Sequence, residues 1–246
     1  DFAPDPETIR RIFTIGAPAS LEVSTKALSV TILTALVAVA GAEAVAAYGI
    51  GSRVTSMVVL PALGLARGVE TVVGQNLGAQ QIDRAKRGVR LAIGIVIGCF
   101  LVFGIGVYLF APLIVSIFVT GMGATAVVEI GAEYLQVVAA SYVFLGIFFV
   151  IQGGFRGSGR TRVALLFAFV GYIVLRSALA YVLAVPMGWG ATGIWYGEAA
   201  SNVLMALLTL VYFRRGTWAG RLVEDDRGTE PSSDDRPNVE QPLNTD

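Results

Sequence analysis

The chain has no histidine, a single cysteine (Cys99) and only 15% charged residues in 246. With one cysteine, no disulfide can close within the chain. Without His or a Cys cluster, a His- or Cys-based metal centre is excluded. A soluble domain carries about 25% charge, so the shortfall here is large. Lysine is scarcer still, at Lys26 and Lys86 only. No Walker-type phosphate loop is present, which excludes ATP hydrolysis on this chain. The carboxylates are too scattered for hydrolase chemistry, no organic cofactor is expected, and nothing points to nucleic acid. No signal peptide precedes the first apolar run. The chain opens on Asp1, which fits a fragment, a processed product or a trimmed piece.

What is present is apolar. Hydrophobic residues make up 55% of the chain, and mean hydropathy is +0.70. Several runs reach the roughly 20 residues that cross a bilayer core. The pattern predicts an all-α, polytopic membrane protein with six spans, near 11–40, 45–74, 89–117, 134–154, 163–185 and 191–213. Pro18 and Pro61 lie inside the first two and favour bends. Gly94, Gly98, Gly104 and Gly106 in the third permit close helix approach. Residues 1–10 read as a polar cytoplasmic linker, 11–215 as the bundle and 216–246 as an acidic, disordered tail. Trp189, Trp195 and Trp218 fall near the expected membrane interfaces.

Basic residues set the orientation. Arg84, Lys86, Arg87 and Arg90 follow the polar turn around Gln75 and Asn76. Arg156, Arg160 and Arg162 follow the fourth span, and Arg10, Arg11, Arg214 and Arg215 flank the bundle. The alternate connections, Gly41–Ala44, Val119–Glu133 and Pro186–Gly190, have no Lys or Arg. Positively charged loops stay cytoplasmic. Six spans with both termini cytoplasmic satisfy every loop, which places the chain in the cell membrane, in contact with its lipids.

Ionisable groups at bilayer depth are costly and so are candidates for function. The set is Glu22, Lys26, Arg53, Arg67, Glu70, Arg176 and Glu198. Glu22 lies about 16 Å into the first span by helical rise, one turn after Pro18. A carboxylate in low dielectric takes up a proton more readily, or it can ligate Na⁺ with nearby carbonyls. The alternative is an ion pair with Lys26 at i+4; on the residues alone both readings stand. Arg67 reaches a depth close to that of Glu22, and Glu70 lies one turn nearer the cytoplasm. Counted from the turn at Pro186, Arg176 and Glu198 sit at depths that agree within about 3 Å, as expected of a neutralising pair. Arg53 has no obvious neighbour.

Three motifs carry a family resemblance. Gly64-Leu65-Ala66 through Val73-Gly74-Gln75-Asn76-Leu77-Gly78-Ala79, with Arg84-Ala85 beyond, resembles the loop between the second and third helices of a lobe in the multidrug and toxic compound extrusion (MATE) family. Gly154-Phe155-Arg156-Gly157-Ser158-Gly159 is similar to that family's turn after a lobe's fourth helix. Pro18-Ala19-Ser20-Leu21-Glu22 resembles the start of the seventh helix of a full-length member. The resemblance implies the C-terminal six-helix lobe of a twelve-helix antiporter exporting cationic or amphipathic compounds against H⁺ or Na⁺. It also implies a partner: an N-terminal lobe, or a second copy of the chain. Glu22 then takes the place of the coupling carboxylate. Where some members add an Asp in the fourth helix, this span offers Gln152, Tyr142 and Tyr134, which favours proton linkage. A lipid-linked oligosaccharide flippase lobe, with Arg53 or Arg176 lining its cavity, and a non-transporting truncated scaffold are the alternatives.

Overall fold

The computed structural model describes residues 6–119, 123–216 and 218. The first half of the N-terminal linker and nearly all of the acidic tail lie outside these residues. The described residues are helical, with no strand. They form α1 (Pro6–Ala38), α2 (Ala42–Gly78), α3 (Ile82–Ser116), α4 (Ala124–Ala139), α5 (Tyr142–Gly157), α6 (Thr161–Ala168), α7 (Arg176–Ala184) and α8 (Gly190–Arg214). A seven-residue π-helical stretch, Phe169–Leu175, joins α6 to α7. Five helical stretches are long and apolar enough to cross a membrane, and the pair α4–α5, bent by 53°, makes a sixth. This is a multi-pass membrane protein. Its outer faces are apolar, with Leu91, Ile95, Val102 and Leu109 of α3 exposed, the inverse of a soluble bundle.

Three boundaries differ from the sequence reading. The first helix is already formed at Pro6, the first described residue and inside the expected linker. The third starts at Ile82, so Arg84, Lys86, Arg87 and Arg90 occupy its opening turns. The connection there is only residues 79–81, turned by Gln80 at φ 57°. The fourth span begins at Ala124 rather than 134. Glu129 and Glu133 gave that stretch the look of a loop, yet Val127, Leu135 and Val138 bury one face. Its bend falls at Ser141, whose hydroxyl donates to Val138 O at 2.7 Å, competing with the helical ladder.

Close packing follows the small residues. A Cβ on Gly153 would meet Ala66 O at 2.3 Å, and one on Gly157 would meet Glu70 O at 2.4 Å. Gly153 and Gly157 therefore form a small-xxx-small seam on which the backbone of α2 lies. What read as a Gly-rich turn is mostly the last turns of α5, and the turn itself is confined to residues 158–160. Trp195 is fully buried in the bundle. It stacks on Tyr48 at 5.8 Å and meets Tyr134 edge-on at 4.8 Å.

Candidate functional site

The seam between α2 and α5 sets the first cluster. It lays the end of α5 against Glu70, and Arg156, next to Gly157, reaches across. Its Nε donates to Glu70 Oε2 at 3.1 Å and its Nη1 to Glu22 Oε1 at 2.6 Å. One guanidinium thus ties α1, α2 and α5 together. The other oxygen of Glu22, Oε2, is buried without a hydrogen-bond partner. The three charges line a cleft of about 360 Å³ with Lys26, Arg67 and Phe149.

Two expectations are corrected here. Glu22 pairs with Arg156, not with Lys26, although i+4 spacing allowed the latter. Lys26 instead lies over the ring of Phe149, with Nζ 5.3 Å from its centroid. Arg156 is also more than a topology marker, because it points into the cleft. Sequence reasoning missed its role because a base beside a Gly-rich turn reads as a cytoplasmic anchor. The available signal was Gly153-x-x-x-Gly157, which brings a second helix close enough to be reached.

The second cluster lies deeper. Arg176 Nη1 is 3.4 Å from Glu198 Oε1, with both side chains 7% exposed. Arg176 also donates through Nε to Ser201 Oγ at 3.2 Å and through Nη2 to Asn202 Oδ1 at 2.7 Å. Asn202 Nδ2 continues the chain to Ser141 Oγ at 2.9 Å. Tyr134 OH donates to Glu198 Oε2 at 3.4 Å, and the ring of Tyr172 lies 4.8 Å from Arg176 Cζ. Depth counting had brought Arg176 to Glu198; Ser201, Asn202 and Ser141 went unnoticed because polar residues in apolar helices carry no partner label. A narrow pocket of about 60 Å³ touches this cluster. It shares Lys26, Phe149 and Tyr172 with the Glu22 cleft. The π-helical stretch positions Tyr172, whose carbonyl accepts from Ser29 Oγ of α1 at 2.9 Å. A π-bulge frees carbonyls in this way and recurs at functional sites.

The remaining candidates scatter. Tyr142 is buried and shares a 2.9 Å hydrogen bond with Thr55. Gln152 is buried and donates to Ala164 O at 2.9 Å, a helix-to-helix tie with no link to either cluster. Arg53 is exposed on α2 and lines neither cleft. Arg67 is exposed on the rim of the Glu22 cleft. Asn76 donates to its own helix at Val72 O, Arg84 to Gln81, and Arg160 to Tyr212; Gln75 caps α2 by accepting from the Ala79 N–H. Among the described residues no group of three or more His, Cys, Asp or Glu could hold a metal. A Na⁺ ion beside Glu22 would face the Arg156 guanidinium at close range.

Comparison with known proteins places this geometry. The chain is 28% identical over 218 residues to the "Probable multidrug resistance protein NorM" of Deinococcus radiodurans, covering 87% of this chain and 48% of that protein. It is 30% identical over 215 residues to the "Probable multidrug resistance protein YoeA" of Bacillus subtilis, covering 85% and 45%. A crystal structure of MATE in complex with MaL6 superposes with a TM-score of 0.84 at 22% identity, over 91% of this chain and 49% of that one. The chain spans about half the length of the curated relatives it matches. The fold is one lobe of a twelve-helix MATE-type bundle. The MatE family model matches residues 18–182, well over half the sequence, and the chain belongs to that family.

Proposed function

We propose that this chain is the C-terminal half of a secondary active transporter that exports cationic or amphipathic compounds in exchange for an ion. A complementary six-helix lobe, whether a neighbouring part of a longer chain or a second copy, closes the substrate cavity. The basic helix ends at 84–90 and 156–162 support an orientation in the cell membrane with both termini cytoplasmic. The observation that carries the reading is the Arg156 bridge, 2.6 Å from Glu22 and 3.1 Å from Glu70. An ion arriving at Glu22 competes with the guanidinium for one carboxylate. A proton on Glu22 removes the charge that holds α1 to α5, and the segment around Pro18 is then released to move. Ion binding becomes helix motion. The proton is favoured over Na⁺ because Oε2 of Glu22 carries no hydrogen bond and is open to it; the neutralised carboxyl then holds Arg156 less tightly. Lys26, one turn along α1, stands as a second counter-charge within helical reach once the bridge opens.

The flippase alternative asks for an arginine-lined cavity. Arg53 lines neither cleft and Arg176 directs its donors to Glu198, Ser201 and Asn202; Arg67 and Arg156 do line the Glu22 cleft, but Glu22 and Glu70 offset them there. The test reconstitutes the chain with its complementary lobe in vesicles and follows efflux of a fluorescent cation under a pH or a Na⁺ gradient. Glu22→Gln is expected to abolish most proton-driven exchange while insertion is unchanged. Wild-type exchange in that variant would remove Glu22 from the coupling site. The chain alone is expected to be silent, and efflux by a lone lobe would overturn the half-transporter reading.

A further inference from the structure

A groove of about 500 Å³ opens between α3, α5 and α8, and it shares no lining residue with the Glu22 cleft. Its rim carries Lys86, Arg90 and Arg214, and its walls below are Ile93, Ile97 and Ile147. No acidic side chain lines it, and among the described residues none of the three bases has a salt-bridge partner. The mouth is bounded by Trp218, stacked on Phe213 at 4.7 Å and pinned by a 3.1 Å hydrogen bond from Nε1 to Phe213 O. Fixed tryptophans of this kind sit at headgroup level.

From this charge complementarity we propose that the groove is a binding site for an anionic phospholipid. The phosphate lies among Lys86, Arg90 and Arg214, and one acyl chain runs down past Ile93 to Ile97. From Arg90, below which the walls are apolar, to Ile97 the helix rises about 10 Å, within one leaflet's hydrocarbon depth of about 15 Å. The groove therefore has the charge for the headgroup and apolar walls for the upper part of one acyl chain. The other candidate occupant, the chain's acidic stretch Glu224-Asp225-Asp226, would match the rim but not the walls. A polypeptide at that depth must satisfy every backbone N–H and C=O, whereas an acyl chain has none to satisfy.

The test reconstitutes the full chain in phosphatidylcholine vesicles doped with brominated phosphatidylglycerol or brominated phosphatidylcholine. The quenching lost on Trp218→Phe isolates the signal from the groove. Brominated phosphatidylglycerol is expected to quench Trp218 at concentrations at least about fivefold lower, the effect of one well-placed base near an anionic headgroup. Lys86→Gln, Arg90→Gln and Arg214→Gln together are expected to erase that preference. Equal quenching by the two lipids in the unaltered chain would overturn the proposal. A preference that appears only after residues 221–246 are removed would overturn it too, by making the tail the occupant.

Discussion

Replacing Arg176 by Met and Glu198 by Gln, singly and together, measures how the buried cluster contributes to stability. At 3.4 Å and an effective dielectric near 20, the attraction is about 5 kcal/mol before desolvation is counted. Removing one partner of a buried pair costs about 3–5 kcal/mol, because the other charge is stranded. The two single variants should differ. Arg176→Met leaves Glu198 with one long hydrogen bond, from Tyr134 at 3.4 Å, and leaves Asn202 Oδ1 without its donor, so the full cost is expected. Glu198→Gln leaves Arg176 bonded to Ser201 and Asn202 and keeps an acceptor oxygen, for about 1–2 kcal/mol. The double variant should fall short of the sum by about 1–3 kcal/mol. Thermal unfolding in detergent, followed by tryptophan fluorescence, reads this as a drop of roughly 6–20 °C for Arg176→Met. Additive costs, or equal losses in the two single variants, would refute the argument. Exchanging the two charges is a poorer probe. A glutamate at 176 would meet Asn202 Oδ1, an acceptor held in place because Nδ2 is committed to Ser141.

Gly153→Ala and Gly157→Ala are each expected to lower the monodisperse fraction in detergent chromatography sharply, since the atoms a Cβ would meet are backbone carbonyls of α2 and neither helix can yield locally. Gly64→Ala, with nothing within 4 Å, should be neutral or gain up to about 1 kcal/mol from helix propensity; indistinguishable behaviour of Gly64→Ala and Gly157→Ala would sink the seam. Cys99 is exposed on α3 among outward-facing apolar neighbours. In intact membranes its thiol, away from water and so protonated, should resist a charged, membrane-impermeant thiosulfonate and label only once the chain is unfolded in SDS. Rapid labelling by the charged reagent would mean that this face of α3 meets water rather than lipid.

The apolar runs made the membrane architecture readable, because hydropathy follows from solvation that acts along one helix at a time. The approach of Arg176 to Glu198 was readable for a related reason: both residues count outward from one short turn, so helical rise alone brings them level. The start of α4 was not readable. Glu133 looked like a loop residue, yet its carboxylate accepts from Thr192 Oγ1 at 2.7 Å and so tolerates a helix packed against α8. The partner of Glu22 was hidden by the opposite error. The i+4 rule supplied Lys26 within the same helix, whereas the actual partner depends on a seam between two other helices that no single-helix pattern contains. The π-helical stretch before Arg176 had no sequence signal at all, since its register is settled by tertiary contacts such as Ser29 on the Tyr172 carbonyl.

The exposed charges bear on whether the lobe stands alone. Glu70 keeps 41% of its side chain exposed although it is bridged to Arg156, and Arg67 beside it is exposed and unbridged among the described residues. Arg67 lies eleven residues before Gly78, about 16 Å along α2 from its end. A charge held against lipid costs up to about 2.5–3.5 kcal/mol at the bilayer centre and less where it can snorkel toward the basic helix ends at 84–90. The outer face of α3 carries no comparable burden: from Leu91 to Leu113 it is apolar. The asymmetry separates a lipid-facing side from a side that asks for water or protein. A complementary lobe over α1 and α2 would turn the rim at Arg67 and Glu70 into the wall of an aqueous cavity. Arg156 and Glu22 would then lie at its base, where on the proposed function the exchanged ion arrives.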